Sequence, residues 1–178
     1  RKGCEAIRDG LSMPAVYHDD AGTRMVLNKG VPLSEAWDWN PCGCVETNLA
    51  GRMKQYTDMA DINMGGIVEM ALNNGVSRIT GKRCSVETGD PRDFKTFEEF
   101  YEAIKTHIRY FVDVVVSGNQ LLDYLSMNYR TVPVLSLGYH DCMLRGIDYS
   151  NGGAKYNGGG GDITVGQADT IHSIAAVT

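Results

Sequence analysis

Residues 40–48 read NPCGCVETN. Two cysteines, Cys42 and Cys44, flank Gly43, and Glu46 stands two positions after the second thiol. Thiols and a carboxylate this close admit four readings: metal ligands, a redox pair, a packed turn, or two halves of a reaction centre. A metal site needs further ligands. His18, His107, His140 and His172 are far apart and show no ligand spacing, so no metal is expected. The packed-turn reading treats both cysteines as small buried hydrophobes. A nucleophilic thiol would need a histidine base brought in by the fold. The reaction-centre reading gains from geometry. In an extended segment, positions i and i+2 project to the same side, with α-carbons roughly 6.5–7 Å apart. One small molecule could then touch Cys44 and Glu46 together, with the glutamate moving a proton if burial raises its pKa. Otherwise Glu46 is a turn carboxylate accepting backbone N–H bonds.

The elements around this stretch follow from periodicity. Residues 2–9 read as the tail of a helix stopped by Gly10, and MPAVYH (13–18) as a short buried strand. A helix is expected over roughly 20–28 with a stop at Gly30, then one or two helical turns in PLSEAWDW. Pro41 and Gly43 break any helical period in 41–48, leaving a loop or an extended finger. Apolar residues from Met59 to Leu72 recur at helical spacing and end at NNG. Thr96 and Glu99 form a T-x-x-E capping box, opening a long buried helix from Phe97 to about residue 126. On that helix His107 reads as amphipathic surface. TVPVLSLG (131–138) reads as a strand, DCMLRG as a short helix and 166–177 as a last helix. Strands alternating with helices make the fold class α/β.

Bulk properties exclude several classes. With 178 residues, 43% of them hydrophobic, the chain can bury one core. A net charge of −5 with no basic stripe argues against nucleic acid. No apolar run is long enough to span a bilayer, so no membrane partner is expected. Five cysteines, none spaced C-x-x-C, fit neither a zinc knuckle nor a disulfide framework, and a reducing cytoplasm is the expected location. The glycine run 158–161 lacks the lysine and the strand-loop-helix setting of a phosphate loop, and reads as a turn. The amino end begins without methionine and in mid-pattern, as a cut piece would.

GCVE (43–46), NMGGIVEMALNNG (63–75), TGDPRDFKTFEEFYEAIK (88–105), DCMLRGIDYSNGGAKYN (141–157) and GQADTIHSIAAV (166–177) occur in that order. CEAIRDG (4–10) and PAVYHDD (14–20) precede them. Together these stretches resemble the glycyl radical enzymes, in the branch related to pyruvate formate-lyase that includes dehydratases, arylacetate decarboxylases and sulfite-lyases. The resemblance implies part of a ten-stranded α/β barrel, the second half-barrel, with the cysteine on a finger loop. It assigns the thiyl radical to Cys44 and the base or orienting carboxylate to Glu46. It also implies a glycyl radical, installed by an activating partner that uses S-adenosylmethionine and a [4Fe–4S] cluster, with no cofactor bound in this chain. An anaerobic cytoplasm and a homodimer follow from the same resemblance.

Departures sharpen the expectation. Gly43 separates the two cysteines, whereas the formate-lyase subtype has them adjacent, so acetyl transfer is not expected. Thr47 stands where dehydratases have proline and looks more like arylacetate decarboxylases. The ungapped stretch 43–58 instead brings Asp58 onto a position that binds substrate hydroxyls in the glycerol enzyme. Asp58 could equally cap a helix beginning at Met59. His140, at the end of the strand expected over 131–138, is a second candidate substrate contact. Nothing matches the radical-glycine motif, so residues 1–178 read as one internal fragment of a catalytic domain, inactive alone. The expected reaction of the parent is elimination of water, sulfite or a similar group from a small hydroxylated substrate. Decarboxylation of a 4-hydroxyphenylacetate-type acid and a non-catalytic truncated relative are the alternatives.

Overall fold

The computed structural model describes residues 1–11, 16–43, 46–55, 58–158 and 160–177. In chain order, α1 (Lys2–Arg8), α2 (Asp19–Leu27) and α3 (Leu33–Ala36) lead into β1 (Asn40–Cys42), β2 (Glu46–Asn48) and β3 (Met53–Lys54). There follow β4 (Ala60–Asn63), α4 (Met64–Leu72), α5 (Phe97–Tyr129), α6 (Pro133–Ser136) and α7 (His140–Arg145). The last elements are β5 (Tyr156–Asn157), β6 (Asp162–Val165) and α8 (Gln167–Val177). The class is mixed α/β. Two units divide the chain: residues 1–55 with 133–158, and residues 56–132 with 159–178.

In the first unit, Val26, Val31, Ala36, Leu49 and Met53 form a buried core, with Leu27, Trp39 and Tyr156 packed against it. β3 pairs in parallel with β5, Met53 opposite Tyr156 and Lys54 opposite Asn157. Lys54 is buried, and its ammonium donates to the Ser150 carbonyl at 3.1 Å. Outside this core, Arg52 bonds Asp38 at 2.8 Å, and Lys155 bonds Glu35 at 2.7 Å. Lys155 is the main reason the Glu35 carboxyl lies below its ordinary pKa.

In the second unit, β4 pairs in parallel with β6 from Ala60↔Asp162 to Asn63↔Val165. Helical period ends where that ladder begins. Residues 60–63 are strand, and the helix expected from Met59 starts only at Met64, capped by Asn63 Oδ1 accepting from the Gly66 N–H at 2.9 Å. Ile62 packs against the core from the strand, so its apolar spacing mimicked another helical turn. The core proper joins α4 to α5 through Ile67, Val68, Ala71, Phe100, Ala103 and Ile104. At the start of α5, Thr96 Oγ1 accepts from the Glu99 N–H as the capping box requires, while the Glu99 carboxylate reaches the N–H of Lys95, one residue before the cap.

Four expectations are corrected. His107 is not surface: its exposure is 0%, and it continues the Phe100, Ala103, Ile104 stripe one turn further. Its Nδ1 bonds Ser85 Oγ at 2.6 Å and its Nε2 bonds Thr88 Oγ1 at 3.0 Å, tying the 76–90 loop to α5. Burial of α5 stops near that point; Val112, Leu121, Leu122 and Tyr124 are exposed. Residues 131–138 hold no strand. Pro133 opens α6, because its ring fixes φ at a helical value and its missing N–H is not needed in a first turn. Of the strand expected over 13–18, residues 13–15 lie outside the described residues, and Val16 to His18 form no strand, with Val16 79% exposed. Among the described residues no helix is long and apolar enough to cross a membrane.

Desolvation lowers the His107 pKa. The unfolded chain therefore takes up a proton below about pH 6.5 that the folded chain resists. The contribution is whole above the unfolded value and is lost as pH falls toward the folded one. Asp90, held at about 2 by Arg92, loses its share only at far lower pH. The urea midpoint is expected to drop between pH 7 and pH 5, and His107→Gln to flatten that drop; an unchanged slope in the variant would refute the assignment.

Candidate active site

β1 and β2 form an antiparallel hairpin with Asn40 opposite Asn48, Pro41 opposite Thr47 and Cys42 opposite Glu46. The extended finger expected from Pro41 and Gly43 is therefore present. Directly opposed residues share a face, so Cys42 and Glu46 project together from the closing pair, both half-buried. Alternation sends Thr47 to the other side, where it is 4% exposed. Its Oγ1 is buried with no hydrogen-bond partner among the described residues. Cys44 lies outside the described residues; the strands bracketing it end at Cys42 and begin at Glu46.

Gly43 has φ +61°, the left-handed region. A β-carbon at Gly43 would sit 2.7 Å from Glu46 Oε2 and 3.2 Å from both Cδ and Oε1. The carboxylate thus lies over the turn, against the bare backbone of the glycine.

The stem of the hairpin is fixed from beneath. Trp39, just before β1, lies on α2 where Gly22 leaves room: a β-carbon there would be 2.2 Å from the indole Cε2. α2 also packs against β2, presenting Gly22, Thr23 and Val26 as its buried face. At the open end, Asn40 Oδ1 accepts from the Ala50 N–H at 2.9 Å and Asn48 Oδ1 from the Leu49 N–H at 2.7 Å.

The remaining candidates fall elsewhere. His140 belongs to the same unit as Glu46, but it opens α7 rather than ending a strand. Its side chain is 77% exposed, with Nδ1 4.0 Å from Asp141 Oδ2. Asp58 belongs to the second unit, is exposed, and precedes strand β4, so it caps no helix. Neither a hydrogen bond nor an ion pair engages it among the described residues. Cys142 is buried, and that burial raises its thiol pKa, which leaves it a packing residue rather than a thiolate. No cluster of metal-ligating side chains occurs among the described residues. What sequence reasoning missed is Gly43. A glycine between two candidate reacting groups signals a turn, but only coordinates show whose space it leaves.

The profile of the family described as pyruvate formate lyase-like matches residues 1–178. The chain is 34% identical over 157 residues to trans-4-hydroxy-L-proline dehydratase of Clostridioides difficile, covering 88% of this chain and 20% of that protein. It is 35% identical over 157 residues to (2S)-3-sulfopropanediol dehydratase of Klebsiella oxytoca, covering 88% of this chain and 19% of the other. Among solved structures, the glycerol-bound B12-independent glycerol dehydratase of Clostridium butyricum superposes with a TM-score of 0.86 at 31% identity, over 99% of this chain and 22% of that one. The chain spans about one fifth of the length of these relatives.

The Gly22–Trp39 contact generates a test of how the finger is held. Alanine in an open helix would gain about 1 kcal/mol over glycine. Here the β-carbon meets the indole, and overpacking of about 1–3 kcal/mol wins. Gly22→Ala is expected to lower the urea midpoint; a higher midpoint would show that Trp39 is not seated as described.

Proposed function

The chain belongs to the pyruvate formate lyase-like family of glycyl radical enzymes, and from that premise we propose that its parent protein is a radical lyase eliminating water or a similar group from a small hydroxylated compound. The observation that carries this reading is the hairpin: its closing pair directs the Glu46 carboxylate over the turn whose next residue is Cys44. Support for the substrate class comes from relatives that act on hydroxyproline and sulfopropanediol, and from one solved with glycerol.

The division of labour follows from the chemistry of each group. The family's glycyl radical, when present, supplies the unpaired electron. Cys44, as the thiyl radical, takes a hydrogen atom from the substrate carbon bearing the hydroxyl, forming S–H and leaving a carbon radical. Sulfur suits the exchange because its S–H bond is weak enough to be opened by a carbon radical and re-formed afterwards. Glu46 accepts the proton of that hydroxyl, and the neighbouring carbon releases its leaving group, as hydroxide that takes up a proton in the case of water. The product radical then recovers the hydrogen atom from the Cys44 thiol, so the thiyl radical is regenerated and a carbonyl product departs. Asp58, exposed and not used as a helix cap, holds a second substrate hydroxyl. His140 is a further contact in this reading. A radical S-adenosylmethionine enzyme activates the parent, whose strands complete a ten-stranded barrel around the finger, in a homodimer within an anaerobic cytoplasm.

An arylacetate decarboxylase is the second reading, because Thr47 follows Glu46. That cue loses force here: the Thr47 side chain is buried on the face opposite Glu46, where a substrate held by Glu46 does not meet it.

Anaerobic assay of the activated full-length parent tests both readings. Elimination from a diol, a hydroxysulfonate or a hydroxylated amino acid is expected, and conversion of 4-hydroxyphenylacetate to a cresol without any elimination would overturn the proposal. Cys44→Ala is expected to abolish turnover, and Glu46→Gln to cut kcat by about a hundredfold or more. Thr47→Val is expected to leave the product unchanged and to stabilise the protein by about 1 kcal/mol, since it removes a buried hydroxyl lacking a partner. A change of product in that variant would return Thr47 to the substrate face.

A further inference from the structure

We propose that Gly43 is a positioning residue for Glu46: the space left by its missing side chain is the seat of the carboxylate. This rests on the reading of Glu46 given above and concerns what holds that group in place. Two independent features of Gly43 matter. Its φ of +61° is one that residues with a side chain rarely adopt. Its α-carbon also faces the carboxylate so closely that any β-carbon would stand 2.7 Å from Oε2.

The two features predict different things, which makes them separable. Ordinary van der Waals contact begins near 3.4 Å. A side chain at 43 would therefore drive Oε2 away by roughly 0.7 Å, the difference from 2.7 Å. Glu46 is flexible at its far end, so the fold absorbs this shift cheaply by swinging the carboxylate aside. Catalysis does not absorb it, because constellations hold their geometry within about 0.5 Å, and a misplacement of about 1 Å lowers rates by roughly a hundredfold. Loss of rate without loss of fold distinguishes a seat for the carboxylate from a merely permissive turn. Cys42 stands directly across the ladder from Glu46.

Alanine and asparagine at 43 separate space from conformation. Asparagine tolerates the left-handed region better than other residues with a side chain, yet it carries the same β-carbon as alanine. The experiment uses the activated full-length parent and compares Gly43→Ala, Gly43→Asn and Glu46→Gln. It reads kcat, KM, glycyl radical content by electron paramagnetic resonance, and Tm. We expect Gly43→Asn to lower kcat by about tenfold or more, with radical content and KM within about threefold of the parent and Tm little changed. Gly43→Asn in the Glu46→Gln background is expected to be no slower than Glu46→Gln alone, because the glycine acts through that carboxylate. If Gly43→Asn retains the parent's kcat while Glu46→Gln is impaired, or if asparagine restores what alanine loses, the seat is refuted and Gly43 serves the turn only. If Glu46→Gln is itself fully active, the catalytic reading of Glu46 fails, and the role of Gly43 fails with it.

Discussion

The register of the β1–β2 hairpin is the constraint on which the candidate site depends. A strand has a side-chain period of two, so a slip of one residue would send Glu46 inward and turn Thr47 toward the open face. Pro41 helps to forbid that slip. It has no N–H, so the hydrogen-bonded pairs of the antiparallel ladder fall at Asn40↔Asn48 and Cys42↔Glu46, with Pro41↔Thr47 between them. Moving the register by one would set proline in a position that demands a donor. Turning the Glu46 carboxylate into the apolar side would oppose the slip more strongly still. Trp39 seated on Gly22 then fixes where the stem enters, and the side chains of Asn40 and Asn48 hold the open end.

The two units keep their order by different means. In the first, Glu35, Asp38, Arg52 and Lys155 join α3 and the stem to β3 and the approach to β5. These groups are partly exposed, and such pairs contribute only about 0–1 kcal/mol each. The work of holding the hairpin therefore rests on the apolar cluster around Val26, Leu49 and Met53. In the second, polar order is internal. The His107 imidazole has both nitrogens bonded to hydroxyls, which can donate or accept, and burial is what keeps it neutral. Removing either hydroxyl would leave a buried ring nitrogen unpaired, at about 1–3 kcal/mol. Asn74 supports the same loop, accepting from the Thr88 and Gly89 N–H groups at 2.8 and 2.9 Å.

Most of the element order was legible because local signals decided it. Thr96 and Glu99 announce α5, Gly30 and Gly75 close their turns at positive φ, and Pro41 with Gly43 foretells an extended finger. The failures share a cause: a local signal overruled by tertiary pairing. Ile62 fits a helical stripe, yet its backbone is claimed by β6, with Asn63 marking the true helix start. Valine and leucine around Pro133 suggest a strand, but no partner strand pairs with that run among the described residues, and proline favours the helical turn instead. His107 was misread from its polarity, although its spacing from Phe100, Ala103 and Ile104 already placed it on the buried stripe. Of the site, Glu46 was legible from its spacing. The seat at Gly43 was not, because no sequence pattern states which side chain occupies the room beside a glycine.

The two sequence cues about substrate class pointed in opposite directions, and the hairpin weighs them unequally. A threonine in place of proline after Glu46 changes a residue on the buried face. Position 47 sits in the pair opposite Pro41, where the ladder asks for no donor, so either residue satisfies the same hydrogen bonds. The difference thus lies on the face opposite Glu46. Asp58 stands otherwise. It is exposed and serves neither a helix cap nor an ion pair among the described residues. In the proposed reading the carboxylate at 58 is therefore open to a substrate hydroxyl, while the side chain at 47 faces away from Glu46.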